Sequence, residues 1–122
     1  MNLQDIVKRF SIISNLSLEE AFPWTQVCEE AAEEIKLHLK KGVDENEHHR
    51  RLDAAAASLA FYRYVLYRAS GGGMESFTAG EIRIKTDAKT SVKMALAVWQ
   101  DAKRSISDLL NDDEFIFETI LQ

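Results

Sequence analysis

Apolar residues recur along most of the chain at steps of three and four, the spacing that gathers them on one face of a helix. Leu3, Ile6, Val7 and Phe10 form the first such stripe and predict a short amphipathic helix over 3–13. Ser17-Leu18-Glu19-Glu20 follows. Its serine can cap a helix while its second glutamate reaches back to the cap, which predicts a helix start near 17 or a single turn before Pro23. Trp24, Val27, Cys28, Ala31, Ile35 and Leu39 make the next stripe, opposite Glu29, Glu30, Glu33, Glu34 and Lys36. Pro23 suits the first turn of this helix, Lys40 and Lys41 suit its negative end, and Gly42 is expected to stop it.

Asp44-Glu45-Asn46-Glu47 predicts a second capping box, leading a helix that runs to about Ala69. Its middle, Leu52 to Tyr67, is apolar nearly all round, and a helix of that kind is buried by neighbours on all sides. Ala54 to Ala57 permit close approach, Leu59 to Tyr64 supply bulk, and Arg63 and Arg68 require solvent or acidic partners. Gly71-Gly72-Gly73 ends this central helix. Glu81 to Thr86 alternates polar and apolar, as a half-buried strand does, and Ala79-Gly80 marks a turn. A ribbon over about 74–86 is therefore expected, packed on the helices or on another subunit, because two strands alone are marginal.

A last helix starts at Asp87 or Thr90 and carries Val92, Leu96, Trp99, Ile106 and Leu110 before Asn111-Asp112-Asp113 breaks it. Beyond lies an apolar tail, about 114–122, with Phe115, Ile116, Phe117, Ile120 and Leu121. The expected fold class is mainly α: a small helical bundle around a central buried helix, with a short protruding β-hairpin or loop. A single domain over 1–122 is expected, with its helical core at about 17–110.

Composition narrows the classes further. A chain of 122 residues, 46% hydrophobic and 29% charged, fits one globular domain and not a disordered or low-complexity one. A single cysteine excludes an internal disulfide framework and a multi-cysteine zinc site. The longest apolar stretch, Ala54 to Tyr62, is too short to span a bilayer, and Asp5, Lys8 and Arg9 make Met1 to Phe10 unlike a secretory signal. A soluble intracellular protein is expected. The net charge of −5 argues against a free-standing nucleic-acid binder. Charge is also uneven: 1–47 hold ten acids and five bases, 48–110 six acids and ten bases, and 111–122 four acids and no base.

No set of residues assembles into an active site. His48 and His49 are adjacent, so on a helix they point about 100° apart, which suits one metal poorly even with Asp44, Glu45 or His38 nearby. Cys28 lies on an apolar face and reads as a small hydrophobe. The glutamates at 29, 30, 33 and 34 lack the Glu-x-x-His spacing of di-metal helices and read as a solvated face. Gly71 to Gly73 follow a helix and precede Met74-Glu75, without the lysine of a phosphate loop. Arg83 and Lys85 share the polar face of the expected ribbon, opposite Ile82 and Ile84, where they meet solvent, a phosphate or an acidic neighbour. No catalytic residue, cofactor or metal is assigned.

The order of the parts resembles the head–tail connector (adaptor, or head-completion) proteins of tailed phages and prophages, of the siphovirus type. The resemblance is carried by Cys28-Glu29-Glu30-Ala31-Ala32-Glu33-Glu34-Ile35-Lys36 on a helix ending at Gly42. It continues through Arg51-Leu52-Asp53-Ala54-Ala55-Ala56 running into Leu59-Ala60-Phe61-Tyr62-Arg63-Tyr64, and a Gly-rich gap. Phe77-Thr78-Ala79-Gly80-Glu81-Ile82-Arg83-Ile84 and a helix from Val92 to Leu110 complete it, so that it covers roughly 25–110. The Gly71–Gly73 run and the Phe-rich tail depart from the family pattern.

The resemblance implies a structural, non-catalytic subunit of an oligomeric ring, dodecameric when assembled, docked under the portal. DNA passes through such a ring without sequence-specific binding, and the next neck or stopper protein attaches to it. It implies assembly in the host bacterial cytoplasm and a final place in the virion neck, with no membrane partner. Ribbon and tail are expected to make the subunit or portal contacts, through Phe77, Ile82, Arg83, Ile84, Lys85, Phe115, Ile116, Phe117 and Ile120. The competing reading is a non-viral bacterial helical interaction module. An enzyme using His38, His48 or Cys28, or a helix-turn-helix regulator, has less in the residues to support it.

Overall fold

The computed structural model describes residues 1–70 and 86–111, the second stretch with its side chains from Lys89 onward. The protein is mainly helical among these residues. Helix α1, Leu3–Ser14, is capped by the Asn2 side chain, which accepts the Asp5 N–H at 3.1 Å. It ends at Asn15, whose left-handed φ of 59° lets two backbone N–H groups close on Ile12 and Ser11. Ile6 and Phe10 are buried, so the core takes in this first helix. Helix α2, Leu18–Ala21, is the single turn read from the sequence, and both halves of its Ser17–Glu20 capping box form.

Pro23 lies in a short 3-10 turn, Phe22–Trp24, that leads into α3, Thr25–Leu37. Helix α3 buries Cys28, Ala31, Ala32 and Ile35, as the stripe predicts. It stops at Leu37, short of the expected Gly42, so Lys40 and Lys41 lie beyond its end. The reason is non-local. The Lys40 N–H bonds the Leu109 carbonyl at 2.8 Å and the Asn111 N–H bonds the His38 carbonyl at 2.8 Å, which draws this backbone into an antiparallel bridge, Leu39 to Leu110. Gly42 then turns the chain at φ +93°, a region that favours glycine.

The expected second capping box does not form. The Asp44 carboxylate accepts the Asn46 N–H at 2.9 Å, two residues on, and this local turn leaves α4 to begin at His49. Helix α4, His49–Ala69, ends where the sequence predicts and is the centre of the bundle. Helices α1 and α3 and the last helix, α5, Thr86–Ser105, all pack on it. Ala55, Ala56, Ala57 and Ala60 are buried at its middle, where small side chains admit close backbones. At its far end Tyr64 meets Phe10 and Trp24 edge-on, at centroid distances of 5.6 and 4.7 Å.

Helix α5 begins at Thr86, so the last residue of the expected strand is helical; the rest of the ribbon, 74–85, lies outside the described residues. Ala95, Trp99 and Ile106 face the core. The helix ends at Ser105 rather than near Leu110, because a 3-10 turn, Ser107–Leu109, tightens the chain before Leu110 extends to meet Leu39. Arg51 locks this corner by donating to Asp108 and to the Ser105 carbonyl, the latter at 2.6 Å. No helix among the described residues is long and apolar enough to cross a membrane.

Candidate interaction surfaces

The residues that invited a chemical reading are dispersed. His38 caps the end of α3, His48 precedes α4, and His49 opens α4 with its Nδ1 3.6 Å from Asp53 Oδ2. Among the described residues, no group of three histidine, cysteine, aspartate or glutamate side chains is placed to hold a metal ion. Cys28 is fully buried on α3, and burial pushes its thiol up to about 12. Only about one thiol in ten thousand is then ionised at pH 8, and the thiolate is the reactive form. Ellman's reagent at pH 8 is accordingly expected to leave the native protein unmodified over minutes and to titrate one thiol at once in guanidinium. Fast modification of the folded protein would contradict this burial.

The four-glutamate face divides. Glu29, Glu30 and Glu33 are exposed, and with Thr25 and Gln26 they line a shallow polar hollow. Glu34 turns inward and pairs with the half-buried Arg63 of α4, which answers the demand that Arg63 find an acid. Burial pushes the Arg63 guanidinium down, and the nearby Glu30 carboxylate offsets part of that.

One anchor carried no sequence signal. Asp53 of α4 is fully buried, and its Oδ1 accepts the Asn2 N–H at 3.0 Å, pinning the start of α1 to the central helix. Its Oδ2 makes no hydrogen bond among the described residues. Burial pushes its carboxyl up, the neighbouring Asp5 adds to this, and the Asn2 bond and the Met1 amino group oppose it. Asp5 is held below the ordinary carboxylate range by the Arg9 guanidinium at 2.8 Å.

The cations of α5 also divide. Lys89, Lys93 and Arg104 are exposed, whereas Lys103 is buried with its Nζ 5.3 Å from the centre of the Trp99 ring. Burial pushes the Lys103 ammonium down.

Two features mark surfaces suited to partners. Ile12, Leu18 and Phe22 are exposed on α1, α2 and the following turn, elements that pack on one another, and Met94 and Val98 lie one turn apart on the outer side of α5. Between the end of α4 and the start of α5 runs a groove of about 630 Å³, lined by Leu66, Tyr67, Ala69 and Val92 and edged by Arg63, Lys89 and Lys93. Every interface residue expected from the sequence, Phe77 to Lys85 and Phe115 to Ile120, lies outside the described residues. No protein-family model, curated protein or solved structure matches the chain.

Proposed function

We propose that the protein is a head–tail connector subunit of a tailed phage or prophage, structural and without a reaction of its own. In this reading it joins others in a ring beneath the portal vertex, dodecameric when assembled. DNA passes through the ring and the next neck protein attaches below it. One observation carries the reading: the order of parts. An acidic helix, a turn at Gly42, an alanine-rich central helix running into aromatics, a glycine run and a last helix follow one another as in that family. The described helices α3, α4 and α5 pack around a common core, which is compatible with that order. A wide apolar groove with a basic edge is also a feature that a subunit–subunit contact would use.

A ring is built from one head-to-tail contact repeated until it closes. The exposed acids of α3 and the exposed cations at the start of α5 supply two unlike faces of the kind that such a contact needs. Co-expression with the portal protein of the same genome tests the reading. The expected result is co-elution of both proteins in one large species that survives repeated gel filtration. Separate elution at matched concentrations would favour the helical interaction module, whose partner lies elsewhere.

A further inference from the structure

We infer that the apolar corner formed by α1 and α2 in one copy of this chain docks on the outer face of α5 in a second copy. The inference rests on the proposed ring, whose repeated contact it names. Both surfaces lie among the described residues, and three observations join them.

The first is exposed apolar surface. Ile12, Leu18 and Phe22 are 71%, 61% and 75% exposed, on α1, α2 and the turn that follows, elements that pack on one another. Leu18 and Phe22 share a face, because they are one helical turn apart and the Phe22 N–H bonds the Leu18 carbonyl. Ile12 stands on the outside of α1, two positions and about 200° beyond the core residue Phe10. On α5, Met94 is 65% and Val98 40% exposed, again one turn apart, with the exposed Ala97 beside them. Such side chains need no explanation singly; grouped on adjoining turns they mark contact surfaces.

The second is charge at the edges. Glu19 and Glu20 follow Leu18 and are exposed. The acidic hollow of Glu29, Glu30 and Glu33 begins at Thr25, whose hydroxyl donates to the Phe22 carbonyl at 2.7 Å. Lys8, one turn before Ile12, is outnumbered by these acids. On α5, Lys93 adjoins Met94, is exposed, and has no ion pair among the described residues. Arg104 lies in the same row three turns on, with Asp101 at 3.7 Å. Two acidic corners would repel each other at close approach. The corner against the α5 face is the pairing in which unlike charges meet.

The third is placement. Helices α1 and α5 both pack on α4, and their contacts show which sides of it they take. On the α1 side, Asp53 accepts the Asn2 N–H and Tyr64 meets the Phe10 ring. These two positions of α4 are eleven residues apart, so they fall within about 20° of each other around the helix. On the α5 side, Arg51 donates to the Ser105 carbonyl, and Leu66 lines the same groove as Val92. Arg51 is two residues before Asp53 and Leu66 two after Tyr64, which sets each about 160–200° away from the α1 side. Helices α1 and α5 therefore flank α4 from opposite sides. The corner of one copy cannot reach its own α5 face, whereas it can reach that of a second copy. A contact between unlike faces on opposite sides of a subunit is head-to-tail, the kind that repeats around a ring.

Thiol cross-linking tests this, because Cys28 is fully buried and does not compete. Leu18→Cys marks the corner and Met94→Cys marks the α5 face, both at exposed positions of the full-length chain. Circular dichroism checks that each variant stays folded. A short bismaleimide is added to each variant and to their equimolar mixture. The mixture is expected to form a covalent species of twice 13.9 kDa. Its rate is expected to exceed that of either variant alone by about tenfold or more, since docking holds the two thiols at high effective concentration. Adding Lys93→Glu to the α5-marked variant is expected to slow the mixture about threefold to tenfold at low salt, and Glu19→Lys in the corner-marked variant to restore the rate. A mixture no faster than the separate variants would overturn the inference. So would fast cross-linking of either variant with itself, the mark of a symmetric pair. A failed cross-link in a chain that still co-elutes with the portal protein would remove this contact and leave the connector reading standing. A cross-linked mixture in a chain indifferent to portal would keep the contact and remove the connector reading.

Discussion

Replacing Trp99 with alanine is expected to remove about 3–5 kcal/mol of stability, the range for truncating a large buried aromatic. Trp99 is the largest fully buried side chain of the protein, on α5 where that helix packs against α4. The central helix offers little to refill the space, since most of its buried residues at mid-length, Ala55, Ala56, Ala57 and Ala60, are alanines. Collapse would need whole helices to shift. The same substitution also takes the ring from beneath the Lys103 ammonium, which is itself 3% exposed. Small domains hold only about 5–15 kcal/mol in total, so the variant is expected near the edge of folding at 37 °C. Urea unfolding followed by circular dichroism measures the loss. Trp24, half-buried at the bundle's edge, serves as the control, and its alanine variant is expected to lose less. A Trp99→Ala cost below about 1.5 kcal/mol would show that α5 is not packed as described.

Asp53→Asn is expected to stabilise the protein at pH 7 and to do nothing at about pH 3. Burial raises the Asp53 carboxyl above its ordinary value in the folded state. Between the ordinary value and the raised one, the folded protein holds a proton that the unfolded chain has released. Stability therefore falls as pH rises through that window, and above it the cost persists. Asparagine keeps an oxygen for the Asn2 N–H and carries no charge, so it mimics the protonated acid at every pH. The groups that face this carboxyl are the Asn2 N–H, Asp5, His49 and the Met1 amino group. Asp53→Ala is different: it orphans the Asn2 N–H and is expected to cost about 1–3 kcal/mol at both pH values. Thermal unfolding of both variants from pH 3 to 8 checks the signs. An Asp53→Asn protein less stable than its parent at pH 7 would mean that His49 and the Met1 amino group hold the charged form more strongly than burial opposes it.

What the sequence disclosed follows the range of the interactions involved. The Ser17–Glu20 capping box spans three residues and was readable because its donors and acceptors are neighbours. The burial of α4 from Leu52 to Ala60 was readable because apolar residues on every side leave no face for water. Tyr64 to Leu66 are only half-buried and Tyr67 is exposed, so the expected burial does not extend to the end of the stretch. The end of α3 was not readable, since Lys40 and His38 pair with Leu109 and Asn111, about seventy residues on. Asp53 likewise sits in an alanine run with no local mark; its partner, Asn2, is 51 residues away. At Asp44 two local turns competed, and the shorter Asx turn to Asn46 prevailed over the capping box to Glu47. The groove could not be read at all, because Leu66 and Val92 belong to stripes that look alike from the sequence and meet only when α4 and α5 are laid side by side.

The central claim is that this chain builds a ring on a portal. Light scattering across a concentration series, with and without the portal protein of the same genome, tests it most directly. The expected result is a closed species of fixed stoichiometry, either formed alone or formed when portal is added, whose mass stops rising once subunits saturate the ring. A species that stays at 13.9 kDa or twice that value, indifferent to portal at every concentration, would contradict it.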